Sequence, residues 1–402
     1  MRVRRTVPPV GYRVRPSRLL RGVLRSPATG RRGTDRFLED LAGRLGVRRA
    51  FAVSSGKGAL AVILGALHSL SGRRKVILPA YTCFSVPSAI LRAGLEPVPC
   101  DIEEGSFDYD HAKLLPMLQE DVLCVLSTHL FGVPADPGRI LGPCRSKGIF
   151  VVEDAAQALG GAVDGQWLGT LADVGFYSLG RGKNITCGGG GIIVSDSPDI
   201  LEALDSIVVD LPSSPAREEV ATFITLLVLG AFISPGLYWF PAGLPFLKLG
   251  ETIFYEDFPV YRLSSFRASI LDGWYDTLSW LNGVRRANSD YYLNRVPTLH
   301  DFGAGIPYLR FPVVLDGERK RRVFRDLDGT SVGINGMYPS PVSRIPELVG
   351  RFRMGDFPEA ERVAESLITL PTHPLVSEQD RARVCALLES VMAPQGREGP
   401  AL

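Results

Sequence analysis

The chain has 402 residues, 45% of them hydrophobic, and a net charge of +2, which allows two packed domains or one large domain with an appendage. Such a small net charge carries no global nucleic-acid signature. The six cysteines, at 83, 100, 124, 144, 187 and 385, form no CxxC pair, so neither a zinc site nor a redox motif is indicated and a reducing cytoplasm is the expected compartment.

Residues 1–33 hold ten arginines (Arg2, Arg4, Arg5, Arg13, Arg15, Arg18, Arg21, Arg25, Arg31, Arg32) and no acid, and read as a basic, proline-containing arm. No apolar core follows it, so no secretory signal is expected. From Asp35, FLEDLAGRLG has apolar residues at helical spacing and a glycine stop. RAFAVSSGKGALAVILGAL reads as strand, turn and helix. KVILPAYTCFSVPSAILRAGLEPVPCDI gives strand, loop, helix and strand. DVLCVLSTHLFG and FVVEDAAQALG each open with a buried strand, and Cys100 and Cys124 read as buried free thiols. Continuously apolar strands alternating with helices predict a mostly parallel sheet covered on both faces. Ligands of such sheets sit beyond the carboxyl ends of the strands, where Ser55, Tyr81, His129, Asp154 and Ser178 fall.

From Val220 to Leu247, 28 residues carry no charge. Pro235, Pro241 and Pro245 leave an uninterrupted helix of only about fifteen residues, or roughly 22 Å against a hydrocarbon core of about 30 Å. Two readings stand: an interfacial hairpin with Tyr238 and Trp239 at headgroup depth, or a hairpin buried in a dimer interface. Beyond about 285 the texture changes. RRANSDYYLNRV suggests a helix leading out of the first domain and YLRFPVVL a strand. FPEAERVAESLITLP and SEQDRARVCALLESVM read as amphipathic helical stretches of a smaller α/β domain, with a frayed tail after Ala393. The expected division is an arm over 1–33, a large domain over 34–285 with an insertion at about 212–257, and a small domain over 286–402.

The chemistry concentrates in VVEDAAQALG and GFYSLGRGKNITCGGGGIIVSD. An apolar strand ends in Asp154, Gln157 follows, and Ser178 and Lys183 precede the glycine tract Gly188 to Gly191. A pyridoxal 5'-phosphate site needs a lysine to carry the cofactor as a Schiff base and a carboxylate to keep the pyridinium nitrogen protonated. Taken singly, Asp154 suits a helix N-cap, Gln157 an exposed helix position and Lys183 the surface. In this order, beside glycines, they favour the site. SSGKGAL places the amides of Ser55, Gly56 and Lys57 at a helix start that suits an anion, although no glycine five residues earlier completes a P-loop. His129 closes a strand at the ligand edge and is either a satisfied polar group or a substrate contact. His68, His111, His300 and His373 show no metal spacing.

These blocks resemble the DegT/DnrJ/EryC1/StrS family of PLP-dependent sugar aminotransferases, from about Phe37 to about Val391. SSGKGAL is similar to the family's SGTxAL, LPAYTCF to its P-x-YTF block, and HLFGVPADPGRI to HLYGxPADMDxI. The resemblance implies a fold-type I transferase, with a mostly parallel sheet, helices on both faces and a smaller C-terminal α/β domain. It implies that Lys183 holds the cofactor and moves the proton, while Asp154 pairs with the ring nitrogen and Gln157 lies at its phenolic oxygen side. Ser178, Ser55, Gly56 and Lys57 would hold the phosphate, and Cys83 or Phe84 would face the ring. Tyr81, His129, Arg262 and Tyr338 would lie at the substrate or partner-subunit site of a homodimer.

The chain departs from the family pattern at several positions. Cys83 stands where an aromatic residue stacks on the ring, and Lys57 replaces a threonine. Gly180 replaces a histidine, Gly189 an acid, Val260 the asparagine that reaches across the dimer, and Ser343 a histidine near the nucleotide-sugar. The implied function is conversion of a keto-sugar, nucleotide-linked, to an amino-sugar with glutamate as donor, in polysaccharide, glycolipid or antibiotic biosynthesis. The alternative is a silent PLP-binding or regulatory homologue. Either is expected in the cytoplasm, with interfacial membrane contact through 220–247 and the arginine-rich arm.

Overall fold

The computed structural model describes residues 5–244, 253–296, 300, 302–327, 332–350 and 355–393. Arg2, Arg4, the side chains of Arg25 and Arg31, Pro245, Leu247 and the tail after Ala393 lie outside the described residues.

In chain order the first elements are α1 (Pro16–Leu45), β1 (Arg49–Val53), α2 (Gly56–Ser71), β2 (Lys75–Pro79), α3 (Ser85–Arg92) and β3 (Glu96–Cys100). Next come α4 (His111–Met117), β4 (Val122–Thr128), α5 (Gly138–Arg145) and β5 (Phe150–Asp154). A small hairpin, β6 (Ala162–Val163) and β7 (Gln166–Trp167), leads to β8 (Val174–Ser178) and β9 (Gly191–Ser195). The main sheet has seven strands in the order β1-β9-β8-β5-β4-β2-β3. Only β9 runs against the others, pairing antiparallel with β1 and β8.

The alternation of strand side chains shows why both faces are covered. Phe51, Val53, Val152, Phe176 and Ile193 join the core beneath α2 and α3. Their neighbours Ala50, Ala52, Tyr177, Ile192 and Val194 face the opposite way, toward α1. Val125 and Val151 pack with Leu114 of α4 and Ile140 of α5. Each large apolar side chain buried this way contributes about 1.5–3 kcal/mol.

The chain continues through α6 (Pro198–Asp210), α7 (Ala216–Phe232), α8 (Trp239–Ala242), α9 (Ser265–Ile270) and α10 (Trp274–Leu293). It ends with β10 (Arg310–Val314), α11 (Gly317–Asp326), α12 (Pro358–Ser366), β11 (Leu367–Pro371) and α13 (Glu378–Met392). β10 and β11 pair antiparallel in a second sheet. A separate core gathers Phe311, Val313, Ile368, Val384 and Leu388, and extends to Tyr81 and Phe131 at the carboxyl edge of the main sheet.

Two element boundaries differ from expectation. The helix expected from Asp35 begins at Pro16, where proline occupies the first turn, and is interrupted at Gly30, whose φ is 48°. LITLP, read as helix, is the strand β11, because Leu367, Ile368 and Leu370 complete the second core and its backbone pairs with β10. α10, the helix expected to lead out of the first domain, runs unbroken from Trp274 to Leu293.

The described start of the basic arm forms a strap held against the rest of the fold. Thr6 donates its amide to the Pro235 carbonyl at 2.8 Å, Val7 bridges to Val332, and His373 Nε2 meets the Pro8 carbonyl at 2.8 Å. Arg5 Nε donates to Asp380 Oδ1 at 2.9 Å. Burial alone would raise the Asp380 carboxyl, but Arg5 and Ser377 outweigh it and bring it down to about 2. A carboxyl depressed on folding stabilises the fold above its unfolded value of about 4 and loses that contribution as pH falls toward the folded value. Arg5→Ala should therefore lower the thermal midpoint at neutral pH and raise the pH of acid unfolding. Superimposable acid-unfolding curves for the two proteins would remove this role for the strap.

Candidate active site

Because β1, β8, β5, β4 and β2 run in the same direction, their carboxyl ends deliver side chains to one edge. There a single recess brings Lys183 together with Asp154, Gln157, Ser178, Gly56, Lys57 and Cys83. Thr82, Ser85 and Phe176 complete its wall.

Asp154 is the last residue of β5 and is buried. Its Oδ1 accepts the Ala156 amide at 3.0 Å, so AAQAL opens as a turn where a helix cap was an alternative. Burial pushes its carboxyl up, while the Ala156 amide, Lys183 and His129 draw it partly back. Lys183 lies in the loop between β8 and β9. Its carbonyl, and that of Asn184, accept from the buried guanidinium of Arg285 at 3.4 and 3.0 Å. Two further segments brace that loop. A Cβ on Gly182 would come within 2.7 Å of Val10, and one on Gly188 within 2.5 Å of Thr222 in α7.

The start of α2 forms the other wall. Ser55 caps it, accepting the Gly58 amide at 3.1 Å. The amides of Gly56 and Lys57, in the first turn, have no carbonyl of the helix to bond. Gly56 must be glycine for steric reasons, since a Cβ there would sit 2.8 Å from the Ser178 hydroxyl. The two groups that suit an anion thus meet at contact distance. Thr82, fully buried in the recess wall, has a hydroxyl without a partner.

Other expected residues stand outside the recess. His129 is fully buried: Nδ1 accepts the Ala135 amide at 3.0 Å and Nε2 donates to Glu153 at 2.7 Å. With both nitrogens engaged, it ties the end of β4 to β5. Glu153 was not singled out by sequence, yet its carboxylate also accepts the amides of Gly169, Leu171 and Ala172. Its alternation with Asp154 along β5 was the available signal. Tyr81 donates to the Met337 carbonyl and accepts the Tyr338 amide at 2.6 Å. Tyr338 accepts from Gln157 Nε2 at 2.9 Å, so both tyrosines back the recess. Phe84 is buried in the core. Arg262 lies beyond the outer edge of β1, donating to Val209 O at 3.4 Å and Ser213 Oγ at 3.3 Å. It lines a separate cavity of about 700 Å³.

The sequence matches the DegT/DnrJ/EryC1/StrS aminotransferase family over residues 18–211 and 259–389. The chain belongs to that family. The GDP-perosamine synthase of Vibrio cholerae is 33% identical over 168 residues, which cover 42% of this chain and 46% of that protein, so the chain matches about half of that relative. The dTDP-3-amino-3,4,6-trideoxy-alpha-D-glucose transaminase of Streptomyces venezuelae is 28% identical over 354 residues, 83% of this chain and 80% of that one. The crystal structure of NtdA from Bacillus subtilis with bound cofactor PMP superposes with a TM-score of 0.73 at 19% identity, over 97% of this chain and 86% of that one. That last likeness shows the family's fold. The hydrophobic stretch and the first residues of the strap lie outside the family match.

The buried carboxyl of Asp154 gives a signed expectation. A carboxyl raised on folding costs stability as pH rises from the unfolded value through the folded one. At neutral pH, Asp154→Asn should leave the cofactor-free protein at least as stable as the wild type, with a flatter dependence of thermal midpoint on pH. A large loss of stability in the cofactor-free variant would show that Asp154 is a structural residue.

Proposed function

We propose that this chain is a PLP-dependent aminotransferase that converts a nucleotide-linked keto-sugar to an amino-sugar, with glutamate as donor. The observation that carries the reading is the shared recess of Lys183 and the buried Asp154. Three features of it fit the cofactor: a buried carboxyl whose desolvation is only partly offset by its surroundings, an amine beside it, and first-turn amides packed on Ser178. Bound pyridoxal phosphate supplies a protonated ring that draws electrons from the carbon whose proton is exchanged. Asp154 would hold the proton on the ring nitrogen. Gly56, Lys57 and Ser178 would bind the phosphate through amides and hydroxyl. Lys183 Nζ would anchor the cofactor, then take the proton from the donor α-carbon and return one to the acceptor carbon. Phe176 and Leu60 supply apolar wall beside these groups.

The departures that motivate a silent homologue lie at Gly180, Gly189, Val260 and Ser343, and none removes the lysine, the carboxylate or the anion cradle. The family's sugar dehydratases carry histidine at the lysine position. Polysaccharide, glycolipid or antibiotic precursors are the expected products. A homodimer belongs to the same proposal, with the cavity beside Arg262 as a surface for the second copy. With glutamate and a panel of nucleotide-linked keto-sugars, the protein should form amino-sugar and 2-oxoglutarate in equal amounts. Lys183→Ala should fold with an unchanged far-ultraviolet spectrum and lose at least about a thousandfold in rate, within the roughly hundred- to ten-thousandfold that general acid–base catalysis typically supplies. Turnover by that variant would end the assignment.

We further infer a position at the cytoplasmic membrane face. No helix among the described residues is long and apolar enough to cross a membrane. α7 nevertheless exposes Val220, Ile224, Leu227 and Val228 on one side while burying Leu226 and Gly230 on the other. A helix apolar all round is normally covered. Leu20, Val23 and Leu24 are exposed on neighbouring α1, beside exposed Arg13, Arg15 and Arg21. A two-fold copy would set arginine against arginine, whereas an anionic lipid surface attracts each by about 1 kcal/mol. The protein should float with phosphatidylglycerol vesicles, weakly with phosphatidylcholine alone, and Ile224→Glu with Val228→Glu should release it. A wild type that never floats would place the stripe in a protein interface.

A further inference from the structure

Several departures from the family pattern converge on one side of the recess. Lys57 stands in place of a threonine and Cys83 in place of the stacking aromatic, and both line it. Val260, in place of the cross-dimer asparagine, packs on Gly58, with its Cγ1 3.3 Å from where a Cβ there would lie. The fourth element is the segment 254–258, which precedes the second matched block at 259.

That segment is built against the recess. The Phe258 carbonyl accepts from Arg92 Nε at 3.2 Å, and Arg92 pairs with Asp257 at 3.3 Å. The Tyr255 amide donates to Ser88 Oγ at 3.3 Å. Both anchors are on α3, the helix that follows Cys83. Phe254 and Phe258 are buried in the main core, while Tyr255 remains half exposed at the mouth.

The Lys57 ammonium lies 4.1 Å from the ring centre of Phe258 and 4.9 Å from that of Tyr255. Aromatic faces hold a cation by their quadrupole without neutralising it. Among the described residues no carboxylate pairs with this ammonium. The side chain is half-buried, and desolvation pulls its pKa down while nearby Cys83 acts the other way. A partly desolvated cation with only aromatic support favours an incoming anion. The cofactor phosphate has its own cradle where Gly56 meets Ser178. The ammonium lies instead against 255–258, where Tyr255 is half exposed.

We propose that Lys57, propped on Phe258 and Tyr255, is a specificity position that binds an oxyanion of the substrate, a phosphate or a carboxylate, at the mouth of the recess. This rests on the aminotransferase reading and deepens it. The family's substrate end is altered at Val260 and Ser343, and the cation–aromatic wall takes over part of its work. The side chain of Lys57 thus serves substrate, while its backbone amide serves cofactor.

The test compares wild type, Lys57→Thr and Lys57→Arg in three measurements. The first is the affinity of the cofactor-free protein for pyridoxal phosphate. The second is the glutamate half-reaction, split into limiting rate and half-saturation. The third is calorimetric binding of UDP, dTDP and GDP to the cofactor-loaded protein. Loss of one charge-assisted contact corresponds to about tenfold or more in affinity. Lys57→Thr should keep cofactor affinity within about twofold and weaken one substrate arm about tenfold, with Lys57→Arg restoring most of it. Weakened diphosphate binding identifies a substrate phosphate, and a raised glutamate half-saturation at constant limiting rate identifies the donor carboxylate. A fall in cofactor affinity alone would assign Lys57 to the cofactor, and no change in any arm would make it a solvated lysine. Either result overturns the proposal. A wild type that binds diphosphates but performs no half-reaction would instead defeat the aminotransferase reading.

Discussion

The structure is organised around one buried carboxyl. Asp154 sits at the end of a central strand, out of water, with a single backbone donor from Ala156. Such a group is costly unless a positive charge faces it. The parallel run of β5, β8 and β1 brings the loop of Lys183 and the start of α2 to the same edge. The ring nitrogen of a bound pyridine would be the missing countercharge. The neighbouring carboxylate on β5 has the opposite fate. Glu153 is saturated by His129 and three amides, so two adjacent acids on one strand divide into a structural post and a chemical group.

The loop that carries Lys183 is held from several directions. Arg285 binds its carbonyls from α10, Val10 presses on Gly182, and α7 presses on Gly188. Arg267 reaches the Gly189 carbonyl at 3.5 Å while pairing with Glu219 of α7 at 3.2 Å. The strap also meets the turn that follows α7, through Thr6 and Pro235. Much of this bracing comes from outside the matched blocks, so these segments are part of the site's support as well as of its surface.

Much of this was legible in the sequence where local signals were dense. Strands of the main sheet are short apolar runs closed by polar residues, and Asp154, Gln157, Ser178 and Lys183 lie in two compact blocks. The less legible parts depend on long-range contacts. Both ring nitrogens of His129 are claimed by partners 6 and 24 residues away, which no local pattern reveals. LITLP follows a helix without a breaker and becomes a strand only because β10 lies beside it. The helix before Asp35 is masked by its arginines and by prolines at 16 and 27. The wall of Phe258 and Tyr255 lies about two hundred residues from Lys57 and is anchored on α3.

Whether the recess around Lys183 and Asp154 accepts pyridoxal phosphate and exchanges its amine decides the function of the protein. The direct measurement is the absorbance spectrum of the cofactor-free protein titrated with pyridoxal phosphate and then with glutamate. A visible band that grows to one cofactor per chain, then bleaches as 2-oxoglutarate appears, is the predicted result. A protein that stays colourless at saturating cofactor, or a band unmoved by any amino acid, would contradict it.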